Sequence, residues 1–474
     1  MKKCLILGLG LILPYSLPAR AQQTNSAPPA PAVSAPALGV AANPGGNDPN
    51  ANNSSAADAE NPADNRMLTP PPVSGQAYPV LLTSEERSNF LRGGVVFSTA
   101  YSDNVLSSAS ARPLSDISYS IWPTIALDQT RARLHWTLSY APGFTFYQRI
   151  TSRNEADENL SLLLQYRLSP HVTVTLNDGL QKSSNVFNQP GEGLAGAVSG
   201  SDLGANNSII APLADRLGNS GNAGISYQFS ANDMLGAGGT FTNLHYSNPS
   251  QVPGLYDSAT RGGLGFFSHR LAQQHYIGVT YQYQELLSYP AAGSNLTTTN
   301  AALFFYTYYP SRTFSLSFFG GPQYFNQGAQ YVSPAQPAVA GLQAWKPAAG
   351  ASLNWQGLHS AFALSYAHSV SGGGGLVGAV ELDSANASLR QQLSRNLGAS
   401  LGGGYFNNGV LSLASQGGHS FTGSASLQRQ VGEHFNAQAG YTRIHQTYTV
   451  FSATPDTNRE WISVAYQFAR PLGR

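Results

Sequence analysis

"LHWTLSYAPGFTF", Leu134 to Phe146, separates into two lists when every second residue is taken. The even positions read Leu, Trp, Leu, Tyr, Pro, Phe, Phe, and the odd positions read His, Thr, Ser, Ala, Gly, Thr. Successive side chains of a strand point to opposite sides of the pleat, so this alternation predicts a β-strand with one apolar and one polar face. The stretch runs for 13 residues, against roughly five or six for a strand in a soluble domain. Such a strand suits a wall with lipid on one side and water on the other.

Composition points the same way. Charged residues make up 10% of the 474-residue chain, against roughly 25% in ordinary soluble domains. No apolar run reaches the roughly 18 residues a helix needs to cross a bilayer. Within lipid the other structure that satisfies every backbone N–H and C=O is a closed barrel of strands.

The pattern of Leu134–Phe146 recurs from Phe90 onward. "ISYSIWPTIAL" places Ile117, Tyr119, Ile121, Ile125 and Leu127 on one face, and "LSLLLQYRL" does so with Leu160, Leu162, Leu164, Tyr166 and Leu168. Short polar turns stand between many of these runs: "SPH" at 169–171, "SAN" at 230–232, "PSR" at 310–312, "SRN" at 394–396 and "GEH" at 432–434. They alternate with long polar segments at 102–114, 148–156, 183–220, 247–256, 288–297, 326–343, 371–379, 408–418 and 448–457. Short turns at one rim and long loops at the other predict an all-β, transmembrane, antiparallel up-and-down barrel with periplasmic turns and extracellular loops. The count is about 18 strands, or 16 if the Gly-rich stretches near 234–246 and 380–393 are not strands. An even count puts both ends of the barrel in the periplasm. Tyr166, Tyr227, Phe229, Trp355, Tyr466 and Phe468 fall near strand ends, where aromatic rings suit the headgroup boundary.

The N-terminal region divides in two. "MKK", the apolar "CLILGLGLILPYSL" and Ala19-Arg20-Ala21 form a predicted secretory signal peptide, residues 1–21. Cys4, the single cysteine, lies inside it without a lipobox, so the mature chain is expected to have neither disulfides nor Cys-bound metal. Removing Lys2, Lys3 and Arg20 leaves 22 basic against 24 acidic residues, a net charge of −2. That balance lacks the basic footprint of a nucleic-acid binder. Residues 22–88 are rich in Ala, Pro, Asn and Ser with no aromatic between Gln22 and Ala77, a composition that reads as a disordered periplasmic linker. It is a passive spacer or a tether to peptidoglycan or polysaccharide-export proteins. Residues 89–474 are assigned to the barrel.

"FSTAYSDNVL", then "SDISYSIWP", then "LHWTLSYAPGFTFY" resemble the start of the outer-membrane β-barrel porins associated with exopolysaccharide export in acidobacterial-type genomes. Tyr101, Asp103, Asn104, Asp116 and Pro123 carry the resemblance, which extends over roughly 90 to 470. It implies a channel or export role and brings no catalytic residue with it. The chain departs from barrel proteins generally in continuing past the closing aromatic, Phe468, into "ARPLGR".

Motifs for chemistry are sparse. "SGGGG" at 371–375 has no following Lys-Ser/Thr, so it reads as a flexible loop and not as a phosphate cradle. "RNEADENL" clusters Glu155, Asp157 and Glu158 in a predicted solvated loop, where carboxylates also suit calcium. "HYSN" at 245–248 puts His245 and Ser247 on one strand face near the outer rim and resembles the His-x-Ser-Asn of outer-membrane phospholipases and lipid A deacylases. No orienting carboxylate is identifiable from the sequence, and the pair reads as ordinary rim residues.

The polar faces suggest the cargo. Arg92, Trp122, Arg133, Thr137, Ser139, Arg167, Gln282, Gln284, Ser315, Ser317 and Phe319 are the predicted pore-lining residues. Hydroxyls and amides outnumber charges among them, so the lumen is expected to discriminate little by ion sign. Trp122, Phe319 and Tyr147 offer stacking faces for sugar rings or simply fill space. The expected function is a porin-like outer-membrane channel for small uncharged hydrophilic solutes. The alternatives are a component of exopolysaccharide export, a structural or adhesive surface barrel, or a lipid hydrolase using His245 and Ser247. No enzyme activity, cofactor or metal is expected; the partners are outer-membrane lipids, lipopolysaccharide and the barrel-insertion machinery.

Overall fold

The computed structural model describes residues 89–106, 113–131, 133–183, 215–248, 254–291, 293–311, 313–331, 338–376, 378–411, 417–432, 434–448 and 456–471. The predicted signal peptide, the linker and most of segment 183–220 lie outside the described residues. Eighteen strands follow in chain order: β1 (Asn89–Ser102), β2 (Asp116–Thr130), β3 (Leu134–Tyr147), β4 (Glu155–Ser169), β5 (Val172–Ser183) and β6 (Arg216–Gln228). Next come β7 (Asp233–Tyr246), β8 (Asp257–Ala272), β9 (His275–Tyr289), β10 (Asn295–Ser311), β11 (Phe314–Gln327) and β12 (Leu342–Gln356). The last six are β13 (Ser360–Gly372), β14 (Ala379–Ser394), β15 (Leu397–Val410), β16 (Gly417–Val431), β17 (Phe435–Tyr448) and β18 (Asp456–Pro471). The two Gly-rich stretches are thus strands, β7 and β14, and the count is 18.

The strands form one antiparallel up-and-down sheet closed on itself. Strand β1 meets β2 at Asn89 opposite Gln129 and pairs with β18 from Phe90 opposite Pro471 to Ser102 opposite Arg459. Closure removes the sheet edges that lipid could not solvate. The seam is clasped at the loop-side rim. Asp103 accepts hydrogen bonds from Asn458 N (2.7 Å) and Asn458 Nδ2 (2.6 Å), and Asn104 Nδ2 donates to Asp456 O (3.2 Å). Asp116 is buried and accepts from the backbone N–H groups of Ile117, Arg149 and Ile150. Three residues that carry the sequence resemblance therefore tie down the first loops and the closing strand.

The two faces of β3 follow the alternation of the sequence. Tyr140, Phe144 and Phe146 are exposed, while Ala141, Gly143, Thr145 and Tyr147 between them are buried. Leu138 stands opposite Leu127 and Leu162, forming an apolar row across three strands. One residue on, Ser139 Oγ lies 2.5 Å from Ser161 Oγ on the other face. Outward aromatics gather near the turn-side rim, where Phe229 lies 6.2 Å from Tyr227 and 6.3 Å from Phe267, and Phe435 lies 5.3 Å from Tyr466.

One predicted loop is shorter than expected. The chain enters β4 at Glu155, so the acidic cluster is strand and not loop. Asp157 and Asn159 are buried while Ala156, Glu158 and Leu160 are exposed, and Glu158 lies 3.8 Å from Lys182 across to β5. Above the apolar belt an alternating strand carries charge on either face, so charge density there does not mark a loop.

Candidate functional site

The lumen wall is built from small polar side chains that pair across neighbouring strands. Ser120 Oγ lies 3.0 Å from Thr145 Oγ1, and Thr307 Oγ1 lies 3.0 Å from Ser317 Oγ. Thr137, Ser139, Gln282, Gln284, Ser315, Ser317 and Phe319 all occupy the face opposite the exposed apolar residues of their strands. Trp122 also faces inward but is only 3% exposed, packed with Val96 and Ala465. Its ring lies over Gly143, where a Cβ would approach to 2.4 Å. Phe319 packs against Ala301, Leu303 and Ala348, and Tyr147 is buried against Val105. Trp122 and Tyr147 therefore fill space and offer no open stacking face.

The inward charges differ from the sequence expectation. Arg92 Nη2 lies 3.0 Å from Asp128 Oδ2, and His135 Nε2 lies 3.4 Å from the other oxygen of that carboxylate. Arg133 is an exposed residue of the β2–β3 turn and lines no wall; its neighbours Arg131 and Leu134 exchange the two turn hydrogen bonds. Arg167 occupies the inward face of β4 at its turn-side end. Asp128, the partner of Arg92, sits beside the turn in "ALDQT", on a strand that only the β1–β2 pairing sets next to β1.

The loop-side half of the lumen is crossed by the tip of the β13–β14 hairpin. The β12–β13 ladder ends at Ala349 opposite His368, whereas β13 and β14 stay paired to Gly372 opposite Ala379. Beyond His368, β13 parts from β12 and turns inward, while β14 stays paired with β15 up to Val380 opposite Val410. Val370 N donates to Gln323 Oε1 (2.8 Å) and Val370 O accepts from Gln323 Nε2 (2.9 Å), so one inward amide of β11 takes the place of a strand neighbour. Val370 and Ala379 pack on Phe325 and Leu286. At the far end Leu376, fully buried, packs with Tyr246, Leu255, Val380, Leu382, Val410 and Tyr448. Tyr256 N donates to Gly375 O at 2.8 Å. Because β7 and β8 lie across the ring from β14, these contacts carry the tip over the lumen.

Charge and glycine hold this arrangement. Lys346 Nζ lies 3.0 Å from Glu381 Oε2, closing the gap that β12 and β13 leave, and His368 reaches Glu381 (3.4 Å) and Asp383 (2.8 Å). Gly378 has φ +75°, and a Cβ there would meet Gln327 Nε2 and Gln330 Oε1 at 2.6 Å. The "SGGGG" segment is no free loop either: Gly374 and Gly375 take φ +58° and +109°, Gly375 lies against Tyr246 and Leu255, and Leu376 anchors the turn.

His245 lies outside the lumen, on the outward face at the loop-side end of β7, and Ser247 follows in a bend past the strand. His245 Nδ1 lies 2.6 Å from Asp257 Oδ2, and Asp257 Oδ1 accepts from Tyr246 N at 2.8 Å. Asp257 is the carboxylate the sequence did not reveal, because a loop separates it from the motif and only the β7–β8 pairing brings it opposite His245. Among the described residues no group of three or more His, Cys, Asp and Glu is placed to hold a metal ion.

No protein-family model matches the chain, and no curated protein does. Solved structures with a similar course of chain include Pseudomonas aeruginosa OpdK with vanillate, at 10% identity and TM-score 0.41, covering 80% of this chain and 99% of that one. Pseudomonas aeruginosa OccK2 (OpdF) has 11% identity and TM-score 0.42 over 82% of this chain and 99% of its own. Acinetobacter baumannii OccAB4 has 10% identity and TM-score 0.41 over 81% and 99%.

Proposed function

We propose that this protein is an outer-membrane channel for small uncharged hydrophilic solutes, with both ends of its barrel in the periplasm. The observation that carries this reading is the two-faced closed wall: 18 strands, apolar outside, hydroxyls and amides inside, with Arg92 neutralised by Asp128. An apolar belt of this kind needs lipid around it. The buried amides of Gln284 and Gln327 face inward without a protein partner, which fits a hydrated interior. A wall whose inward groups are mostly hydroxyls and amides, with Arg92 paired to Asp128, supports weak discrimination by ion sign, and the β13–β14 tip narrows the passage for larger solutes. The lipid and lipopolysaccharide of the membrane are its surroundings on this reading, and the insertion machinery its assembly partner.

Planar-bilayer recording of the purified protein tests it. The expected result is discrete conductance steps with weak preference between potassium and chloride. A heat-modifiable, folded barrel that conducts nothing would support the structural-barrel alternative instead.

A further inference from the structure

One ladder of the wall stops short. Strand β12 stays paired with β11 up to Leu342 opposite Gln327, but with β13 only up to Ala349 opposite His368. Residues 342–348 therefore have a ladder neighbour on one side alone. The sequence builds this break. Pro322 and Pro347 stand opposite each other in the β11–β12 ladder, and neither has an N–H, so the backbone of Pro347 points away from β11 toward the missing neighbour. Continuing the β12–β13 register would set Val370 opposite Pro347. The Val370 carbonyl would find no donor there, and Gln323 of β11 serves its N–H (2.8 Å) and its C=O (2.9 Å) instead. A proline on a free edge keeps the ladder from closing.

What spans the break is one ion pair, Lys346 Nζ to Glu381 Oε2 at 3.0 Å, with both side chains about one-third exposed. Its height follows from two outward tryptophans. Trp345, next to Lys346, is 67% exposed, and Trp355 stands ten residues along the same face, also exposed. That interval rises about 26 Å at ~3.4 Å per residue and ~40° of tilt, which is about the height of an apolar belt. The break thus opens at the outer headgroup boundary. On the inward side both of its edges are apolar: Ala344 of β12 packs with Phe325 and Val370, and Val380 and Leu382 of β14 pack with Leu376. Other inward positions toward the loop side carry Thr297, Ser420 and Gln446.

We propose that the break between β12 and β14 is a lateral doorway, through which single-chain amphiphiles with an uncharged head pass between the lumen and the outer leaflet. The head keeps to the hydroxyls and amides of the lumen, a part that rests on the channel reading, while the chain leaves through the wall. Along the way the chain meets Ala344, Val380 and Leu382 in place of the hairpin tip, so apolar surface stays covered. Lys346 and Glu381 are the bolt. Being partly exposed, the pair parts at little cost. A charged head of either sign would meet a like charge here, Lys346 on one edge or Glu381 and Asp383 on the other.

The test uses the full-length protein and 1-monolauroylglycerol, with glycerol as the head alone. In planar bilayers, monolauroylglycerol dissolved in the membrane should cause loss of open-channel current, and glycerol should not. A monoacylglycerol with a diazirine in its chain, followed by peptide mass mapping, should label Phe325, Val380 or Leu382 as well as the outward belt. Lys346→Cys with Glu381→Cys, joined by a short bifunctional methanethiosulfonate, bolts the doorway in a mature chain expected to have no other cysteine. Bolting should abolish both the current block and the inward labels, leave heat-modifiable migration and the belt labels unchanged, and be reversed by reducing agent. Labels confined to the outward face of the wild type would overturn the proposal, as would block and inward labelling that survive bolting. A barrel that conducts nothing yet takes the inward labels would sink the channel reading while supporting the doorway.

Discussion

Strand β3 and the tip of the β13–β14 hairpin both come from alternating sequence, and they obey the alternation to different extents. Along β3 the apolar positions stay exposed to the last pair, Phe144 and Phe146. In β13 the same parity runs through Leu364 and Tyr366, both exposed, to Val370, which is fully buried. Val370 has not changed faces of its strand; the strand has left the wall, and its outward face now packs on the inward face of β11 through Gln323 and Phe325. Parity assigns a side chain to one face of its own strand. Whether that face meets lipid depends on the strand still having neighbours on both sides.

The largest expected effect lies on β3. Leu138→Arg places a charge on the lipid face and should cost about 2–4 kcal/mol if near the midplane, seen as loss of heat-modifiable, membrane-inserted barrel. Ser139→Arg, on the opposite face, should insert normally and shift selectivity toward anions in bilayer recordings. Reversal of the two outcomes would reverse the face assignment of the whole wall.

The next effect belongs to the tip. Gly378→Val sets a branched side chain against Gln327 and Gln330 at a positive φ, a conformation L-residues rarely adopt. The tip should be expelled from the lumen and the single-channel conductance should rise severalfold, with unchanged heat-modifiability. Unchanged conductance would mean that the tip does not limit the passage.

The smallest effect concerns the bridge across the gap. Lys346 and Glu381 are about one-third exposed, so Lys346→Met should change stability by no more than about 1 kcal/mol. Its expected signature is noisier open-channel current, and the difference from wild type should shrink as salt screens the pair. A large loss of folded barrel would instead make the pair part of the wall itself.

Much of this was legible in the sequence because a strand writes its environment into every second residue. The belt residues Ile125, Tyr140, Leu160 and Phe468 and the wall residues Ser317 and Gln284 follow from a period of two alone. What was missed shares another cause. Asp128 pairs with Arg92 from a different strand, Asp257 reaches His245 across a loop, and Val370 is sheltered by β11. Each depends on a partner far along the chain, of which local periodicity carries no trace.

The sequence by itself thus determined the strands, their two faces and a closed barrel around them, since lipid outside and water inside act on each residue where it stands. The tertiary structure alone decided which inward charges are cancelled, that a glycine-rich segment crosses the lumen, and that a histidine at the rim has an aspartate beside it. Those outcomes arise from register and closure, which bring together side chains that sequence distance keeps apart.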